Sequence, residues 1–593
     1  MPDAATPALV SPADERARTW LSAFEAALAA GDATAGAALF GEQSWWRDLV
    51  AFSRTIETVE HRAGIARRLD ETAARTAARG FVLDGEASEG DGLVQAWFRF
   101  ETALGRGVGH IRLRDGKAWT LFTALRELKG FEEKARELRP AGVEHGARRG
   151  RRTWSDERAS EAAELGITRQ PYVLIVGGGQ GGIALAARLR RLEVPALVIE
   201  TNARAGDSWR KRYRSLCLHD PVWYDHLPYL PFPDHWPIYT PKDKLADWLE
   251  MYVRVMELPY WTSSTCKSAR YDAAAGRWRV VVAREGREIE LSPAHLVLAT
   301  GMSGFPEMPH VPGAERFQGR QHHSSRHEDG AAWRGKHCVV VGANNSAHDI
   351  AVDLWEHDAA SVTLIQRSST LVARAEVLAT LRGLYSEQAV KRGIDVDRAD
   401  LINASMPYAL LPASLIPIWE RLRRDEADFY AGLERAGFRL DFAADGAGIA
   451  LKYLRRGSGY YIDVGGSALV ADGRIGLRSG VELAEMRERS VVTSAGEELP
   501  ADLVVFATGY GNMNQWAARL ISPEVAAKVG PVWGLGSGLD KDPGPFEGEL
   551  RNMWKPTAQP GLWFHGGNLM QARHYSLYLA LQLKARLEGL FEA

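Results

Sequence analysis

The pattern of apolar and polar positions divides the chain into two unlike parts. Apolar side chains recur at helical spacing over residues 16–40, and a second helical pattern over 55–79 follows a polar stretch. Four short runs between Phe81 and Thr123 then alternate with period two, which is typical of an antiparallel sheet with one buried face. Helices followed by a meander predict a small α+β unit that ends near residue 135.

The next stretch, 136–166, loses this periodicity and contains Pro140 and a cluster of arginines. Such a composition predicts a solvated linker, and a nucleic-acid patch is disfavoured inside a neutral protein. From Pro171 onward the pattern is that of an α/β protein.

The first strand–turn–helix unit begins with an apolar run, 172–176, as expected of a parallel strand buried on both faces. Gly177, Gly179 and Gly182 then permit a sharp turn, close approach of backbone to a pyrophosphate, and tight packing of helix on strand. The following strand ends at Glu200, where a ribose hydroxyl would find an acceptor. This unit predicts a site for NAD or for the ADP half of FAD.

A second unit of the same kind starts at Cys338 and passes through Gly342 and Asn344 into a helix. Asparagine tolerates left-handed backbone, but its side chain would occupy space that a pyrophosphate uses. The partner strand is followed by Arg367 instead of ending in an acid, and arginine pairs well with a 2′-phosphate. The unit predicts NADPH binding, and a degenerate unit that only packs is the alternative. The residues assigned to this cofactor are Gly342, Asn344, Asn345, Ser346, Asp349 and Arg367.

Three further strand-to-turn segments follow in the α/β part. Thr300 lies in one, Thr508 and Gly509 in another, and Asn568 precedes a helix predicted over 576–590. Backbone N–H groups at a helix N-terminus favour negative charge, which reduced flavin carries at its N1/C2 edge. These segments favour FAD in the first site.

Together these features resemble the flavin-containing monooxygenase family over residues 168–593. The most specific match is FxGxxxH, with Phe317, Gly319 and His323, a fingerprint shared by flavin-containing and Baeyer–Villiger monooxygenases. His327 replaces the aromatic residue that ends the fingerprint.

A second local match is similar to the plant auxin-forming, YUCCA-type branch, and it spans Gly206–Pro233 with a Trp, an LH segment and a PFP segment. This resemblance implies that Ser208 and Trp209 flank FAD, while Leu218 and His219 lie at the junction of flavin and nicotinamide.

The resemblance implies an α/β fold with two nested Rossmann-type dinucleotide-binding domains. The implied FAD domain covers 167–312 and 485–593, and the NADPH domain covers 313–484 with a substrate-facing insertion near 371–457. In that insertion Trp419, Phe429 and Tyr430 are candidates for an apolar pocket, although their helical spacing also suits a core.

The implied reaction is FAD- and NADPH-dependent insertion of one oxygen atom of O2 into a small organic substrate through a C4a-(hydro)peroxyflavin. His219, Arg367 and His323 are the catalytic candidates, with Arg367 divided between phosphate pairing and stabilising peroxyflavin charge. The likeness to the auxin-forming branch favours a carbonyl or 2-oxo acid substrate over N- or S-oxygenation. An NADPH oxidase that makes hydrogen peroxide is one alternative. The other is a redox-sensing flavoprotein whose N-terminal domain binds a partner. Pulldown or cross-linking with and without the first 145 residues distinguishes the two, because a monooxygenase should keep turnover after this truncation.

Residues 1–140 resemble, by pattern alone, the SnoaL-like or ketosteroid-isomerase-like cone, with 141–166 as linker. Asp48, His61 and His110 are the obvious candidates for chemistry there, and a dimerising or substrate-capping module is the favoured interpretation.

Composition narrows these interpretations. A length of 593 residues predicts three or four domains, and 46% hydrophobic with 25% charged residues is typical of a soluble globular protein. A net charge of −2 provides no field that would favour nucleic acid or an anionic membrane. The three cysteines lie far apart in the sequence, which disfavours a disulfide reductase and favours a reducing, cytoplasmic compartment. We expect no metal site in the protein. The expected partners are a small-molecule substrate and O2, with a homodimer as the expected assembly.

Overall fold

The computed structural model describes residues 11–143, 145–539 and 541–592. Its first part, here called the N-terminal unit (11–130), packs three helices against a seven-stranded sheet. In chain order the elements are α1 (Pro12–Ala30), α2 (Ala33–Ala38), β1 (Phe40–Leu49), β2 (Ile56–Glu60), α3 (His61–Thr76), β3 (Arg79–Leu83), β4 (Ser88–Gly90), β5 (Leu93–Glu101), β6 (Gly105–Arg114) and β7 (Lys117–Leu128). The sheet order is β2-β1-β7-β6-β5-β3, with β4 beside β5, and β1 runs parallel to β7 while the other described pairs are antiparallel.

Strands β1 and β2 occupy a stretch that the hydrophobic pattern assigned to a polar segment and to the start of a helix. The prediction failed because polar residues of β1 are buried: Arg47 and Asp48 are at most 4% exposed. Their burial depends on partners from distant parts of the chain, and a local pattern cannot report such partners.

Aromatic side chains fill the space between the sheet and the helices. Phe24 contacts the rings of Trp20, Phe40, Trp46 and Phe81 at centroid distances of 5.0–6.1 Å. An interior filled in this way leaves little room for a ligand.

The three chemistry candidates of the N-terminal unit lie apart. Asp48 is buried on the face of Trp46 and accepts hydrogen bonds from Ser53 and Thr123. His110 is buried and directly follows Gly109 in β6. Gly109 is aligned with Asp48 across β7, on the same face of the sheet, so the His110 side chain points to the opposite face. His61 is exposed. This separation weighs against a shared catalytic site.

The predicted linker contains one helix, α4 (Trp154–Glu164), which begins with a capping box formed by Thr153 and Asp156. Trp154 Nε1 donates to Glu257 Oε1 at 2.6 Å, so this helix is attached to the following part.

The remaining chain, here called the C-terminal part (167–592), contains two parallel five-stranded sheets with helices packed against them. The first sheet has the order β12-β9-β8-β16-β27, and the second β17-β26-β18-β19-β22.

The elements through the first sheet are β8 (Val173–Val176), α5 (Gln180–Arg191), β9 (Ala196–Ile199), α6 (Asp207–Arg210), β10 (Cys217–Pro221), β11 (Tyr239–Pro241), α7 (Lys242–Val255), β12 (Tyr260–Trp261), β13 (Ser264–Asp272), β14 (Arg277–Arg284), β15 (Arg287–Leu291) and β16 (His295–Leu298). Those through the second sheet are β17 (Arg320–His323), β18 (His337–Val341), α8 (Asn345–Glu356), β19 (Ser361–Gln366), β20 (Leu371–Arg374), α9 (Ala375–Leu381), α10 (Glu387–Lys391), α11 (Val396–Ala404), α12 (Leu411–Asp425), α13 (Ala427–Arg435), α14 (Gly448–Arg456), β21 (Tyr460–Asp463), α15 (Gly466–Ala471) and β22 (Gly476–Ser479). The last are β23 (Leu483–Met486), β24 (Ser490–Thr493), β25 (Glu498–Pro500), β26 (Leu503–Phe506), α16 (Asn514–Leu520), α17 (Pro523–Val529), β27 (Leu562–Phe564) and α18 (Leu569–Leu587).

Two helices depart from the predicted pattern. Helix α18 starts seven residues before the predicted 576, because Asn568 caps it by accepting from the Gln571 N–H. Pro417 lies inside α12 without ending it, and Pro412 stands in its first turn, where a missing N–H costs nothing.

Within the described residues no single helix has the length and apolarity to cross a membrane, and one bent pair, Val396–Ala404 with Tyr408–Asp425, meets those criteria jointly.

Packing at Gly109 offers a test of the N-terminal unit. A Cβ there would lie 2.1 Å from the Phe98 ring and 2.7 Å from the Phe122 carbonyl oxygen. We expect Gly109→Ala to lower the free energy of unfolding by about 1–3 kcal/mol through overpacking. Gly64→Ala in α3 is the control: nothing lies within 4 Å of its Cβ, and alanine should raise helix stability by about 0.5–1 kcal/mol. Chemical denaturation measures both, and equal effects would contradict the packing described.

Candidate functional site

The turn between β8 and α5 presents its backbone to a long cavity. Gly177 has a φ of +109°, and a Cβ there would lie 2.4 Å from the Ala299 carbonyl oxygen. A Cβ at Gly182 would lie 2.0 Å from the Gly177 carbonyl oxygen, so this glycine lets helix approach strand. At Gly179 a Cβ would meet only Ser208 Oγ, at 3.8 Å. The space beside Gly179 is therefore open to a ligand.

This first cavity has a volume of about 940 Å³, within the usual range for cofactor sites. Its wall contains most of the residues predicted for the first dinucleotide site: Gly177, Gly179, Glu200, Ser208, Trp209, Thr300 and Asn568.

Polar groups on this wall suit a hydrogen-bonding ligand. Glu200 accepts the Gly178 N–H at 2.8 Å and is held on its other oxygen by Asn202, so the carboxylate is fixed at the edge of the cavity. Thr300 Oγ1 is buried and has no hydrogen-bond partner within the described residues. A buried hydroxyl without a partner is destabilising, and a ligand in the cavity would provide one.

Four residues predicted for this cofactor lie off the cavity wall. Gly182 serves helix packing, and Leu218 belongs to the hydrophobic core. Thr508 donates its hydroxyl to the Glu307 carbonyl at 2.6 Å. Gly509 accepts a hydrogen bond from His323 Nε2 at 3.0 Å.

The second glycine turn resembles the first in backbone geometry. Gly342 has a φ of +134°, and a Cβ there would lie 2.5 Å from the Ala507 carbonyl oxygen. Asn344 has φ −100° and ψ −171°, close to the −77° and −170° of Gly179. Asn344 therefore does not use the left-handed backbone that asparagine tolerates, and the extended conformation at this position is open to any residue.

Side chains in the first turn of α8 are engaged with the protein. Asn345 Oδ1 accepts the Ile462 N–H at 2.7 Å, and Asp349 Oδ2 accepts from the Tyr213 hydroxyl at 2.6 Å. These contacts orient the turn. That Asn345, Ser346 and Asp349 contact a nucleotide stays a prediction.

The three predicted catalytic residues lie outside both cavity walls. His219 Nε2 is 3.9 Å from Asp349 Oδ2, and Arg367 is 65% exposed, with Nη1 3.8 Å from Glu482 Oε2. His323 donates from Nε2 to Gly509 and accepts the Ser325 N–H at Nδ1, which fixes its tautomer. Burial lowers the pKa of His323 and favours the neutral ring. Their catalytic roles stay predictions.

A second cavity, of about 380 Å³, lies between α18 and helices α9, α11, α12 and α14. Its wall is mostly apolar and aromatic, with six tyrosines: Tyr224, Tyr385, Tyr408, Tyr453, Tyr460 and Tyr575. Tyr453, Tyr460 and Asn568 belong to the walls of both cavities. The two spaces therefore meet at the N-terminus of α18.

The contact between the cavities is hydrogen-bonded. Tyr453 donates its hydroxyl to Gln571 Oε1 at 2.7 Å and accepts the Asn568 N–H at 3.2 Å. Asn568 also donates its side-chain amide to the Tyr224 hydroxyl at 3.0 Å. These bonds hold the first turn of α18 against the tyrosines.

Arg382 brings a cation to the second cavity. It forms an ion pair with Asp220 and lies over the ring of Tyr224, with Cζ 4.6 Å from the centroid. The ion pair joins its Nη1 to Asp220 Oδ1. Burial lowers the pKa of Arg382 to about 10, so the guanidinium stays charged at neutral pH and can bind an anionic or polar ligand group.

Sequence patterns found only part of this second wall. Trp419 lines the cavity, whereas Phe429 packs against the core and Tyr430 donates to the Val372 carbonyl. Arg382 and Tyr453 were missed, because neither lies in a motif and only the tertiary fold brings them beside Asn568.

Comparisons with known proteins agree with this geometry. Residues 174–404 match a protein-family model described as pyridine nucleotide-disulphide oxidoreductase. The rice (Oryza sativa subsp. japonica) indole-3-pyruvate monooxygenase YUCCA1 is 32% identical over 373 residues, which are 62% of this chain and 84% of the relative.

Two solved structures share the fold at a TM-score of 0.50 and 15% identity. The open structure of cyclohexanone monooxygenase aligns over 71% of this chain and 87% of its own. The OTEMO complex with FAD and NADP aligns over 71% and 86%, respectively.

The name of the family model refers to disulphide chemistry; Cys217, Cys266 and Cys338 are all unpaired in the described structure. With a glycine turn opening into a cofactor-sized cavity, a second apolar cavity beside it, and this identity to YUCCA1, the chain belongs to the flavin monooxygenase family of oxidoreductases.

Proposed function

We propose that this protein is a FAD- and NADPH-dependent monooxygenase that transfers one oxygen atom of O2 to a small organic substrate. The observation that carries the proposal is the meeting of the two cavities at Tyr453, Tyr460 and Asn568. One cavity has the glycine backbone of a dinucleotide site, and the other has an apolar wall suited to an organic molecule.

FAD fits the first cavity. The open space beside Gly179, the unpartnered hydroxyl of Thr300 and the fixed carboxylate of Glu200 are three features that a dinucleotide would use. Bound flavin would supply the two-electron chemistry by which O2 is split between the substrate and water. Asn568, at the N-terminus of α18, lies on the wall of this cavity, and the partial positive charge there would favour the negative charge of reduced flavin.

NADPH is assigned to the turn at Gly342 and Asn344, and Arg367 is assigned to its 2′-phosphate. Support comes from the backbone geometry, which matches the first turn, and from the exposure of Arg367 just beyond β19. In this proposal His219, Asp349 and Tyr213 act together to hold the segment between the two turns.

The protein's own task at the reacting centre is to exclude water and hold polar groups in place. The tyrosines and Trp419 give the second cavity an apolar, aromatic wall, and water-free surroundings limit release of peroxide. The hydrogen bonds of Tyr453 to Gln571 and Asn568 fix a hydroxyl group whose residue lies on both cavity walls.

Arg382 favours a substrate that carries a carboxylate beside a carbonyl, such as a 2-oxo acid with an aromatic side chain. The acid would pair with the guanidinium, and the ring would pack on Tyr224 and Trp419. In oxidative decarboxylation one oxygen atom enters the product acid, the other leaves in water, CO2 is released, and NADPH with one proton supplies two electrons.

Finer assignments belong to the same proposal. We propose that the two glycine-turn units are nested Rossmann-type domains, that the N-terminal unit is a SnoaL-like cone, and that the enzyme works in the cytoplasm. The seven-stranded mixed sheet of the N-terminal unit, with three helices packed against it, supports the assignment of a SnoaL-like cone.

A first test addresses FAD. Gly179→Ala should leave the stability of the cofactor-free protein unchanged, because no protein atom lies closer than 3.8 Å to the added Cβ. It should weaken FAD binding about tenfold or more, because the methyl group occupies space needed by the pyrophosphate. Flavin titration and thermal unfolding measure the two effects. Gly182→Ala, which crowds the protein itself, is the comparison and should reduce both the stability of the cofactor-free protein and its affinity for FAD. Purified wild-type protein that takes up no flavin would refute the assignment.

A second test addresses NADPH. Arg367→Met should raise the KM for NADPH about tenfold while leaving the KM for NADH unchanged, because a charged hydrogen bond to the 2′-phosphate is lost. Asn344→Gly should lower the KM for NADPH by clearing space at the turn. Steady-state NADPH oxidation measures these constants, with Arg474→Met, an exposed arginine paired to Asp472, as control. Equal effects on NADPH and NADH would contradict the phosphate role.

A third test addresses the substrate. Phenylpyruvate and phenylacetone share a benzyl ketone, and only phenylpyruvate carries a carboxylate. The kcat/KM for phenylpyruvate divided by that for phenylacetone therefore reports recognition of the acid. Arg382→Met should lower this ratio about tenfold or more, since a charge-assisted contact is lost. Asp220→Asn should raise it, because the competing carboxylate of the ion pair is removed.

The control for this series is Arg424→Met, an exposed arginine at the end of α12. Product and hydrogen peroxide are measured against NADPH consumed. A ratio unchanged in both Arg382→Met and Asp220→Asn would exclude acid recognition by Arg382, and peroxide as the sole product with both ketones would favour the NADPH oxidase.

A further inference from the structure

The second cavity has a wall that the C-terminal part does not provide by itself. Arg47, on β1 of the N-terminal unit, lines this cavity together with Ala404, Met406 and Tyr408 of the turn after α11. This turn, residues 404–408, is here called the α11 turn. It separates the cavity from the sheet of the N-terminal unit.

Arg47 connects three separate segments of the C-terminal part: the α11 turn, the loop at Glu549, and α18. Its Nε and Nη2 donate to the two carboxylate oxygens of Glu549 at 2.7 and 2.8 Å, and Nη2 also donates to the Tyr575 hydroxyl at 3.0 Å. Its Nη1 donates to the Ala404 carbonyl at 2.8 Å, and its Cζ lies 4.3 Å from the centre of the Tyr408 ring. The side chain is 1% exposed, so these contacts form away from water.

A second arginine of the same unit holds the next residue of the turn. Arg112 on β6 donates from Nη1 to the Ser405 carbonyl at 3.1 Å and from Nη2 to Ser405 Oγ at 2.8 Å. No acidic side chain of the described residues pairs with Arg112, and burial lowers its pKa to about 10. Arg112 is therefore charged at neutral pH and directed at the end of a helix.

These contacts meet a need of α11. The last carbonyls of a helix lack partners within the helix and carry partial negative charge, which cations stabilise. The carbonyls of Ala404 and Ser405 are of this kind, and Arg47 and Arg112 supply the cations that stabilise them. At the other end of α11, Arg398 lies over the Trp97 ring with its Cζ 4.1 Å from the centroid. The N-terminal unit thus holds α11 at both ends.

The face of the sheet that carries these contacts is occupied within the chain. Arg47, Trp97 and Arg112 lie on the face opposite the aromatic interior, and they contact α11 and its turn. The sequence favoured two roles for the N-terminal unit, as a dimerising module or as a cap over the substrate. These contacts favour the cap, because they occupy this face of the sheet and leave it unavailable to a partner.

We propose that the N-terminal unit is a structural wall of the substrate cavity, and that Arg47 and Arg112 are positioning residues that hold the α11 turn closed over it. This inference rests on the proposed function for the identity of the cavity's occupant. It reverses the expectation that a monooxygenase would keep turnover without its first 145 residues, because removal would expose Tyr408 and Tyr575 and open the cavity.

The test uses the full chain and the variant Arg112→Met. This change removes both contacts to Ser405 and leaves no buried acid unpaired, so the fold should persist. Arg106→Met is the matched control: it lies on the same strand, β6, but is 45% exposed and pairs with Glu127 and Glu132. Arg112→Lys keeps one charged donor and should restore part of the effect.

The first readout is hydrogen exchange of the peptide spanning 399–412, measured on the protein without substrate or added cofactor. Arg112→Met should speed exchange there about tenfold, since charged hydrogen bonds to helix-end carbonyls are lost. Exchange in β8 and β16 should stay as in the wild type. Arg47→Lys, which keeps a charge for Glu549 but cannot serve all its partners at once, should act in the same direction.

The second readout is turnover of phenylpyruvate. The KM should rise about tenfold in Arg112→Met and the peroxide released per NADPH should increase, while the flavin content and the KM for NADPH stay unchanged. Exchange of the 399–412 peptide that is identical in wild type, Arg112→Met and Arg47→Lys would overturn the inference. A wild-type protein that binds no flavin, yet shows the exchange difference, would refute the proposed function and leave the wall in place.

Discussion

Helix α18 must be buried on all sides while carrying charged and polar groups, and the rest of the structure is arranged around that requirement. Nearly every residue from Leu569 to Ala585 is buried, which is typical of a helix at the centre of a large protein. Burying a charge is costly unless it is paired and hydrogen-bonded. Arg573 accordingly makes two hydrogen bonds to Asp400 on α11 and two to backbone carbonyls after β10.

The same requirement explains why three parts of the chain meet at this helix. Its N-terminus at Asn568 lies where the two cavities join. About two turns further along, Tyr575 receives a hydrogen bond from Arg47 of the N-terminal unit. Later in the helix, Gln582 donates to the Trp554 carbonyl. A single buried helix therefore links the cofactor site, the substrate cavity and the N-terminal unit, and a change in one would be felt in the others.

Three arginines near this helix show how the environment assigns different tasks to the same side chain. Arg573 and Arg47 are buried and donate to carboxylates and carbonyls, so their contribution is structural. Arg382 is 25% exposed, pairs with Asp220 and lines the second cavity. A cation that borders a space large enough for an organic molecule can bind a ligand, whereas one enclosed by carboxylates and carbonyls is a part of the framework.

Much of the cofactor site could be predicted from the sequence. Gly177, Gly179, Glu200, Thr300 and Asn568 line one cavity as expected, because each follows a buried strand and parallel strands bring their carboxyl ends to one edge of a sheet. Leu218 and Thr508 were assigned to the same cofactor by likeness or position, and the structure puts them off the cavity wall. Asn344 has an extended backbone like that of Gly179, so its difference from glycine lies in its side chain.

The substrate cavity could not be predicted in the same way, because its wall joins residues between 47 and 575 in the chain. The sequence by itself determined the two strand–turn–helix units, since a positive φ and a missing Cβ are demands that act over a few neighbouring residues. It also determined the kind of chemistry that these units imply. Only the tertiary structure decided that a strand with a polar pattern, β1, is buried, and that Arg47 supports the wall while Arg382 faces the ligand space. The reason is physical: the role of a charged side chain depends on which partners surround it after folding, and those partners come from parts of the chain that no local pattern connects.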